Sequence, residues 1–308
     1  MEIVVFGAGS LGSLIGGLLA REHDVILVGR DPHVSAVHEE GLRVSGEYEF
    51  RVHPRATTDG VGLAGDLAVV TVKSFDTPEA ARTLATGSFD AVLSLQNGLG
   101  NERVLAERLD RVLAGTVTYG ARLRPPGHVA CTGQGEITIG PSDGGESPLA
   151  ERLAAAFRAA DVNATAVEDA PRRLWEKLAI NAGINPVTAL ARVRNGALAD
   201  GPARETACGA TRETARVARA EGVRLTDREA LAALESVIDA TGENRSSMLQ
   251  DVEAGRRTEV GAINGAVVRH ATERGIDAPT NRHLRRLIRA WERGRSGRDG
   301  GYGDHNGR

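Results

Sequence analysis

Short apolar runs alternate with helix-length stretches through the first half of the chain. Ile3-Val4-Val5-Phe6 is a continuous apolar run, the pattern of a strand buried on both faces. A glycine-rich turn over residues 7–12 follows it and opens a helix-compatible stretch to about residue 21. Asp24-Val25-Ile26-Leu27-Val28 reads as the next strand. Further strands are predicted over 66–72, 91–95 and 112–118, with helices near 77–84 and 101–109 between them. Such alternation folds as a parallel sheet covered by helices on both faces. The segment 127–140 alternates polar and apolar residues, is punctuated by glycine, and predicts an antiparallel hairpin. A helix over 148–160 and a strand over 162–167 close this part.

From about Pro171 the texture changes to long Ala-, Leu-, Arg- and Glu-rich stretches broken by single glycines, which predicts an all-helical region. The expected division is a parallel-sheet α/β domain over 1–168, a helical domain over 169–293, and a Gly-, Arg- and Asp-rich disordered tail over 294–308.

Composition narrows the function class. Hydrophobic residues make up 41% and charged residues 26%, as in ordinary soluble globular proteins, while aromatics at 3% leave the core to Ala, Val, Leu and Ile. The net charge of −3 speaks against a nucleic-acid partner, and pairs such as Arg172-Arg173 and Arg285-Arg286 read as solvated helix faces. No apolar run reaches the ~18 residues that span a bilayer, so no membrane partner is expected. No basic stretch precedes the first strand, so no signal peptide is expected. Cys131 and Cys208 lack metal-ligand spacing and the eight histidines are scattered, so no metal site is expected and a reduced cytoplasmic setting is.

Lysine is almost absent. Of 38 basic residues only Lys73 and Lys177 are lysines. An amine can release and regain a proton near neutral pH when its pKa is lowered, and a guanidinium cannot. The two retained lysines are therefore candidates for positions where Arg would not serve.

Gly7-x-Gly9-x-x-Gly12 lies between a strand and a helix, the context in which this spacing marks a dinucleotide site. Its glycines allow a tight turn and close approach to a pyrophosphate at the helix N-terminus. Gly7, Ala8, Gly9, Ser10, Leu11 and Gly12 are the candidate cofactor-binding residues of this turn. At the end of the second strand, Arg30 stands where an acid would bind the ribose 2′-hydroxyl of NAD. A cation there suits the 2′-phosphate of NADP(H). Asp31 is the competing residue, and before Pro32 its reading is turn initiation. Lys73 and Asn97 each follow a predicted strand at the carboxyl end, where open α/β sheets bind ligands.

Lys177, Asn181 and Asn185 are spaced by four, and each such step turns only about 40° around a helix, so the three share one face. A lysine and two amides on one stripe, flanked by Leu178, Ala179 and Ile180, make a polar patch that a polar ligand would satisfy. Pro186 predicts that this helix ends or kinks near Asn185. Ser246-Ser247 reads as a helix start. Thr258-Glu259 predicts another helix over 259–274, with Glu259 kept ionised in its first turn.

The chain resembles the ketopantoate reductases (2-dehydropantoate 2-reductases) from Met1 to about Leu287. The resemblance is carried by Gly7-Ala8-Gly9-Ser10-Leu11-Gly12, Val72-Lys73, Gln96-Asn97-Gly98, Gly120-Ala121, the stretch from Lys177 through Asn181 and Asn185 to Thr188, Asn195-Gly196, Ser246-Ser247 and Thr258-Glu259 through Asn264-Gly265. It implies a Rossmann-type domain followed by a helical domain, with the site between them, and NADPH-dependent reduction of 2-dehydropantoate to pantoate on the way to coenzyme A. It implies Lys177 as proton donor and substrate contacts at Asn97, Lys177, Asn181, Asn185, Asn195 and Ser247. Arg30, Lys73, Asn97, Ala121 and Glu259 fall on its cofactor side. Gly261 departs from the Asp usual in the family, and Ser10 from a common Ala. The expected partner is a small-molecule 2-oxo acid, and a homodimer is left open. A reductase of another branched 2-oxo acid or an opine-type substrate, or a non-catalytic NADP-binding regulator, are the rival readings. A lysine kept at 177 in so lysine-poor a chain speaks against the regulator.

Overall fold

The computed structural model describes residues 1–296, and the chain divides into two compact units after Leu174. The first unit is α/β. It opens with β1 (Glu2–Phe6), α1 (Ser10–Leu19), β2 (Asp24–Val28), α2 (His33–Glu40), β3 (Leu42–Gly46), β4 (Phe50–Val52) and β5 (Arg55–Thr57). It continues through β6 (Ala64–Val70), a 3-10 turn (Ser74–Asp76), α3 (Thr77–Leu84), β7 (Ser88–Ser94), α4 (Asn101–Ala106) and β8 (Val112–Val117). It closes with β9 (Gly120–Leu123), β10 (His128–Gly133), β11 (Ile137–Pro141), α5 (Pro148–Ala159) and β12 (Ala164–Ala166).

An eight-stranded sheet runs in the order β12-β11-β8-β7-β6-β1-β2-β5. Its centre is parallel, as continuous apolar runs demand when helices cover both faces. Leu14, Ile15, Leu18 and Leu19 of α1 are fully buried in one cluster with Val5 and Leu27 of this sheet. β1 has β2 on one side and β6 on the other, so strand order reverses around it, and the turn after β1 lies at a switch point. Register then sets the site. Phe6 pairs with Val28 and with Val70, and Val70 pairs with Ser94. Four strands end level, and the segments leaving them emerge on one edge.

The expected hairpin over 127–140 does not form. β10 pairs with β9 and β3 in a second sheet of order β4-β3-β10-β9, while β11 pairs antiparallel with β8 and parallel with β12 in the main sheet. Val129, Ala130 and Cys131 are buried in succession, and so are Ile137 to Gly140. Strands buried on both faces have no solvent face, so the alternation read from the sequence was not a sign of pairing with each other. In the small second sheet β3, β4 and β9, and with them α2, come from residues for which the sequence pattern predicted no element.

The second unit is helical: α6 (Ala170–Ala191, beginning just before the division), a 3-10 turn (Asn195–Leu198), α7 (Gly201–Ala220), α8 (Asp227–Ala240), α9 (Ser247–Glu253), α10 (Asn264–Glu273) and α11 (Pro279–Ser296). Ile184, Val187, Ala207, Ala210, Leu234, Ile238 and Leu284 form its core. Three expectations are corrected. α6 does not end near Asn185 but runs through Pro186 to Ala191. Residues 259–263 form a turn, and the helix starts only at Asn264, because Ile263 takes a non-helical φ of −95° with ψ −94°. Gly294 to Ser296 continue α11 rather than beginning a tail; the rest of the expected tail, 297–308, lies outside the described residues.

Candidate active site

In the first unit the turn after β1 is built for a tight bend. Gly7 has φ +117°, and a Cβ there would sit 2.6 Å from the Val72 nitrogen. A Cβ on Gly12 would collide with the Gly7 carbonyl. Gly9 differs, since a Cβ on it would meet nothing nearer than that carbonyl at 3.9 Å. Space therefore opens above the start of α1, whose N-cap Gly9 offers no side-chain cap. The first-turn N–H groups are left for a ligand, and an anionic pyrophosphate fits them. Ala8 is buried and donates its N–H to Val28 O at 2.8 Å. Leu11 packs against the core. Ser10 Oγ accepts from Leu123 N at 3.1 Å, holding β9, and with it Ala121, against the start of α1.

Arg30 leaves the neighbouring strand end with its side chain exposed and its guanidinium 3.6 Å from Asp76. Asp31, the rival residue for the ribose, is engaged: its Oδ1 accepts from Ser35 N at 3.1 Å and Ser35 Oγ at 2.7 Å. Lys73 starts the 3-10 turn after β6. Asn97 lies in the loop after β7, and the two loops are cross-braced. The Asn97 carbonyl accepts from Ser74 Oγ at 2.6 Å and Asn101 Nδ2 at 3.0 Å. Gln96 Nε2 donates to Val72 O at 3.0 Å and Thr77 Oγ1 at 2.7 Å.

The second unit carries the other group. Lys177, Asn181 and Asn185 follow one another along α6, with Lys177 and Asn181 partly buried and Asn185 buried. Among the described residues no hydrogen-bond partner is found for the side-chain amides of Asn181 and Asn185. Burial lowers the Lys177 pKa to about 8, against the pull of the Glu259 carboxylate, which raises it. Glu259 is buried in the turn before α10. Ser246 caps α9, its Oγ accepting from Leu249 N at 3.1 Å, and the same hydroxyl bonds Thr188 Oγ1 at 2.7 Å. Thr188 in turn donates to the Asn185 carbonyl at 3.1 Å. This chain of contacts pins the start of α9 to α6 beside Asn185 and leaves the next residue, Ser247, exposed. Asn195 bonds the same loop, through its N–H to Asn244 O at 3.0 Å and its Nδ2 to Thr241 Oγ1 at 2.9 Å. Its buried Oδ1 has no partner among the described residues.

A model of the family described as ketopantoate reductase PanE/ApbA matches residues 3–144, and the model of its C-terminal part matches residues 169–292. The chain belongs to the ketopantoate reductase family. A 2-dehydropantoate 2-reductase of Archaeoglobus fulgidus is 42% identical over 301 residues, spanning 95% of this chain and 98% of its own. Among solved structures, a PanE/ApbA family ketopantoate reductase from Ralstonia eutropha JMP134 matches with a TM-score of 0.86 at 34% identity, over 96% of this chain and 100% of the other. A D-mandelate dehydrogenase, in a ternary structure with NADH and anilino(oxo)acetate, matches with a TM-score of 0.89 at 26% identity, over 96% and 99%.

The candidate site residues thus fall into two groups, one in each unit. Gly7 to Gly12, Arg30, Lys73, Asn97 and Ala121 belong to the first; Lys177, Asn181, Asn185, Asn195, Ser247 and Glu259 to the second. Two residues within the matched motifs have parts that sequence reasoning did not assign: Gln96 braces the two loops, and Asn264 ties α10 to α6. Neither carries a local signal beyond its place beside Asn97 or Gly265. Elsewhere in the second unit Glu221, His270 and Glu273 bring ligand atoms together, but Glu221 already pairs with Arg274 at 2.8 Å. No helix among the described residues is long and apolar enough to cross a membrane.

Proposed function

We propose that this protein reduces 2-dehydropantoate to pantoate with NADPH, as a cytoplasmic step toward coenzyme A, and that Lys177 is the proton donor. The observation that carries this reading is the buried amine of Lys177, its pKa lowered to about 8, opposed by Glu259 and lying on the face that bears Asn181 and Asn185. Bound NADPH would supply the hydride. Gly7 to Gly12 and the start of α1 would hold its pyrophosphate, Arg30 its 2′-phosphate, and Lys73, Asn97 and Ala121 would contact it along the same edge. The unpartnered amides of Asn181 and Asn185 would orient the substrate carbonyl and carboxylate, with Ser247 and Asn195 taking further oxygens. The Lys177 ammonium stabilises negative charge developing on the carbonyl oxygen and delivers its proton there.

The sign of the pH dependence follows. A proton donor acts in its protonated form, and burial moves the loss of that proton from the ordinary lysine value of 10.5 to about 8. The kcat/KM for reduction is expected to fall as pH rises through about 8. NADPH oxidation followed with a panel of 2-oxo acids checks both points. No turnover of 2-dehydropantoate, or a rate flat from pH 7 to 9, would count against the assignment. The D-mandelate dehydrogenase likeness supports a second reading, a reductase of another 2-oxo acid using NADH. The same panel, run with both nucleotides, separates the two. Whether the enzyme works as a homodimer is answered by its mass in solution.

A further inference from the structure

A proline inside a helix removes the N–H that would bond the carbonyl four residues earlier. Pro186 lies inside α6, and the carbonyl it leaves without a helical donor is that of Ala182. That carbonyl accepts from Asn264 Nδ2 at 3.0 Å, across 82 residues of chain. Asn264 is fully buried at the start of α10. Its amide also donates to Asn281 Oδ1 at 3.0 Å, and Asn281 donates to Ala210 O and Glu213 Oε2 at 3.0 and 2.9 Å. Among the described residues the Asn264 Oδ1 is buried without a partner, a cost that an apolar residue would avoid. An asparagine kept at that cost is held for where its amide points.

The amide points at the helix of Lys177, and the turn it anchors carries Glu259. Ile263 N donates to Glu259 O at 3.0 Å and Gly265 N to Val260 O at 2.8 Å, so the turn is bonded without a break into the start of α10. Its other end is fixed as well: Thr258 N and Oγ1 donate to Glu292 Oε1 of α11 at 2.9 and 2.8 Å. Between the two ends sits Gly261, where a Cβ would come within 2.7 Å of the Arg289 guanidinium. Burial lowers the Lys177 pKa and the Glu259 carboxylate raises it.

We propose that Pro186 and Asn264 act as a positioning pair, in which the proline keeps the Ala182 carbonyl open, Asn264 docks on it, and the bond places Glu259 against Lys177. The proposal rests on Lys177 being the proton donor, and neither member of the pair touches substrate. Pro186→Ala is the discriminating variant. Replacing an interior proline by alanine ordinarily favours a helix. Here the restored N–H competes with Asn264 for the Ala182 carbonyl. The variant is expected to fold and melt no lower than the parent, yet to lose kcat by about tenfold or more, the worth of one misplaced charge-assisted contact. Asn264→Ala is expected to show the same kinetic loss, and the double variant no more than the worse single one, since both act through one bond.

A second readout does not need substrate. The chain has only two lysines, so lysine labelled at the side-chain nitrogen shows two side-chain signals, assigned with Lys73→Arg. The Lys177 midpoint, expected near 8 in the parent, is expected to fall in Pro186→Ala and Asn264→Ala, because the carboxylate that raises it is no longer held in place. If the parent fails to reduce 2-dehydropantoate while the midpoint moves as stated, the pairing stands and the proposed substrate falls. Folded Pro186→Ala protein with parental kcat and parental Lys177 midpoint overturns the pairing, whether or not Asn264→Ala folds.

Discussion

At the scale of single residues the proposed chemistry turns on the difference between an amine and a guanidinium. The amine of Lys177 is buried with its pKa lowered to about 8, so it can exchange its proton near neutral pH. An arginine in its place would keep the charge and lose the exchangeable proton. Lys177→Arg is expected to lower kcat by about 10²–10⁴-fold, the range of general acid catalysis. Stopped-flow NADPH oxidation on folded protein measures it, and wild-type kcat would remove the proposed donor. Gly261, where the family usually has an acid, has its account here too: the space beside its Cα is filled by the Arg289 guanidinium, and Arg269 donates to its carbonyl at 3.1 Å.

At the scale of elements, the loops that carry Lys73 and Asn97 are held from behind by buried polar groups. Glu102, in the first turn of α4, is buried, with Oε1 lacking a protein partner. Burial raises its pKa above the ordinary 4.5, against its own backbone N–H and the Ser94 hydroxyl, which lower it. A folded-state pKa above the unfolded one means that the folded chain binds the extra proton. The stability this gives is complete below about pH 4.5 and is lost as pH rises toward and through the folded value. In that window the loss runs at up to about 1.4 kcal/mol per pH unit. Glu102→Gln removes the titration, so parent and variant are expected to diverge with rising pH, the variant gaining. Urea midpoints between pH 4.5 and 8 check this, and parallel curves would mean that Glu102 does not carry the proton.

At the scale of the whole molecule, the candidate site residues separate into a proposed nucleotide group in the first unit and a lysine–amide group in the second. Substitutions in one group should leave the other group's readout alone. On the role proposed for Arg30, Arg30→Ala would remove a charge-assisted phosphate contact worth about 1.5–3 kcal/mol, so the preference for NADPH over NADH should shrink by about 10- to 150-fold. The Lys177 titration midpoint should stay where it was. Equal kcat/KM for the two nucleotides in the parent protein would contradict the role given to Arg30.

Local pattern determined a good deal of this protein. Apolar runs marked β1 and β2, and helical spacing marked α3 to the residue, because burial and backbone period act over a few neighbours. The glycine turn was legible because steric demand at Gly7 and Gly12 excludes other residues. The stripe of Lys177, Asn181 and Asn185 was legible because the helix period alone puts them on one face. The tertiary structure decided what depends on partners far along the chain. β10 and β11, adjacent in sequence, join different sheets because each finds its hydrogen-bonding edges elsewhere, β10 on β3 and β9, β11 on β8 and β12. Helix α6 continues through Pro186 while Asn264, 82 residues from Ala182, satisfies the carbonyl the proline frees. The turn of Glu259 is fixed between that bond and Glu292 of α11 instead of opening a helix. A local pattern reports the propensity of a segment, while these outcomes were set by which distant donor or apolar face met it on folding.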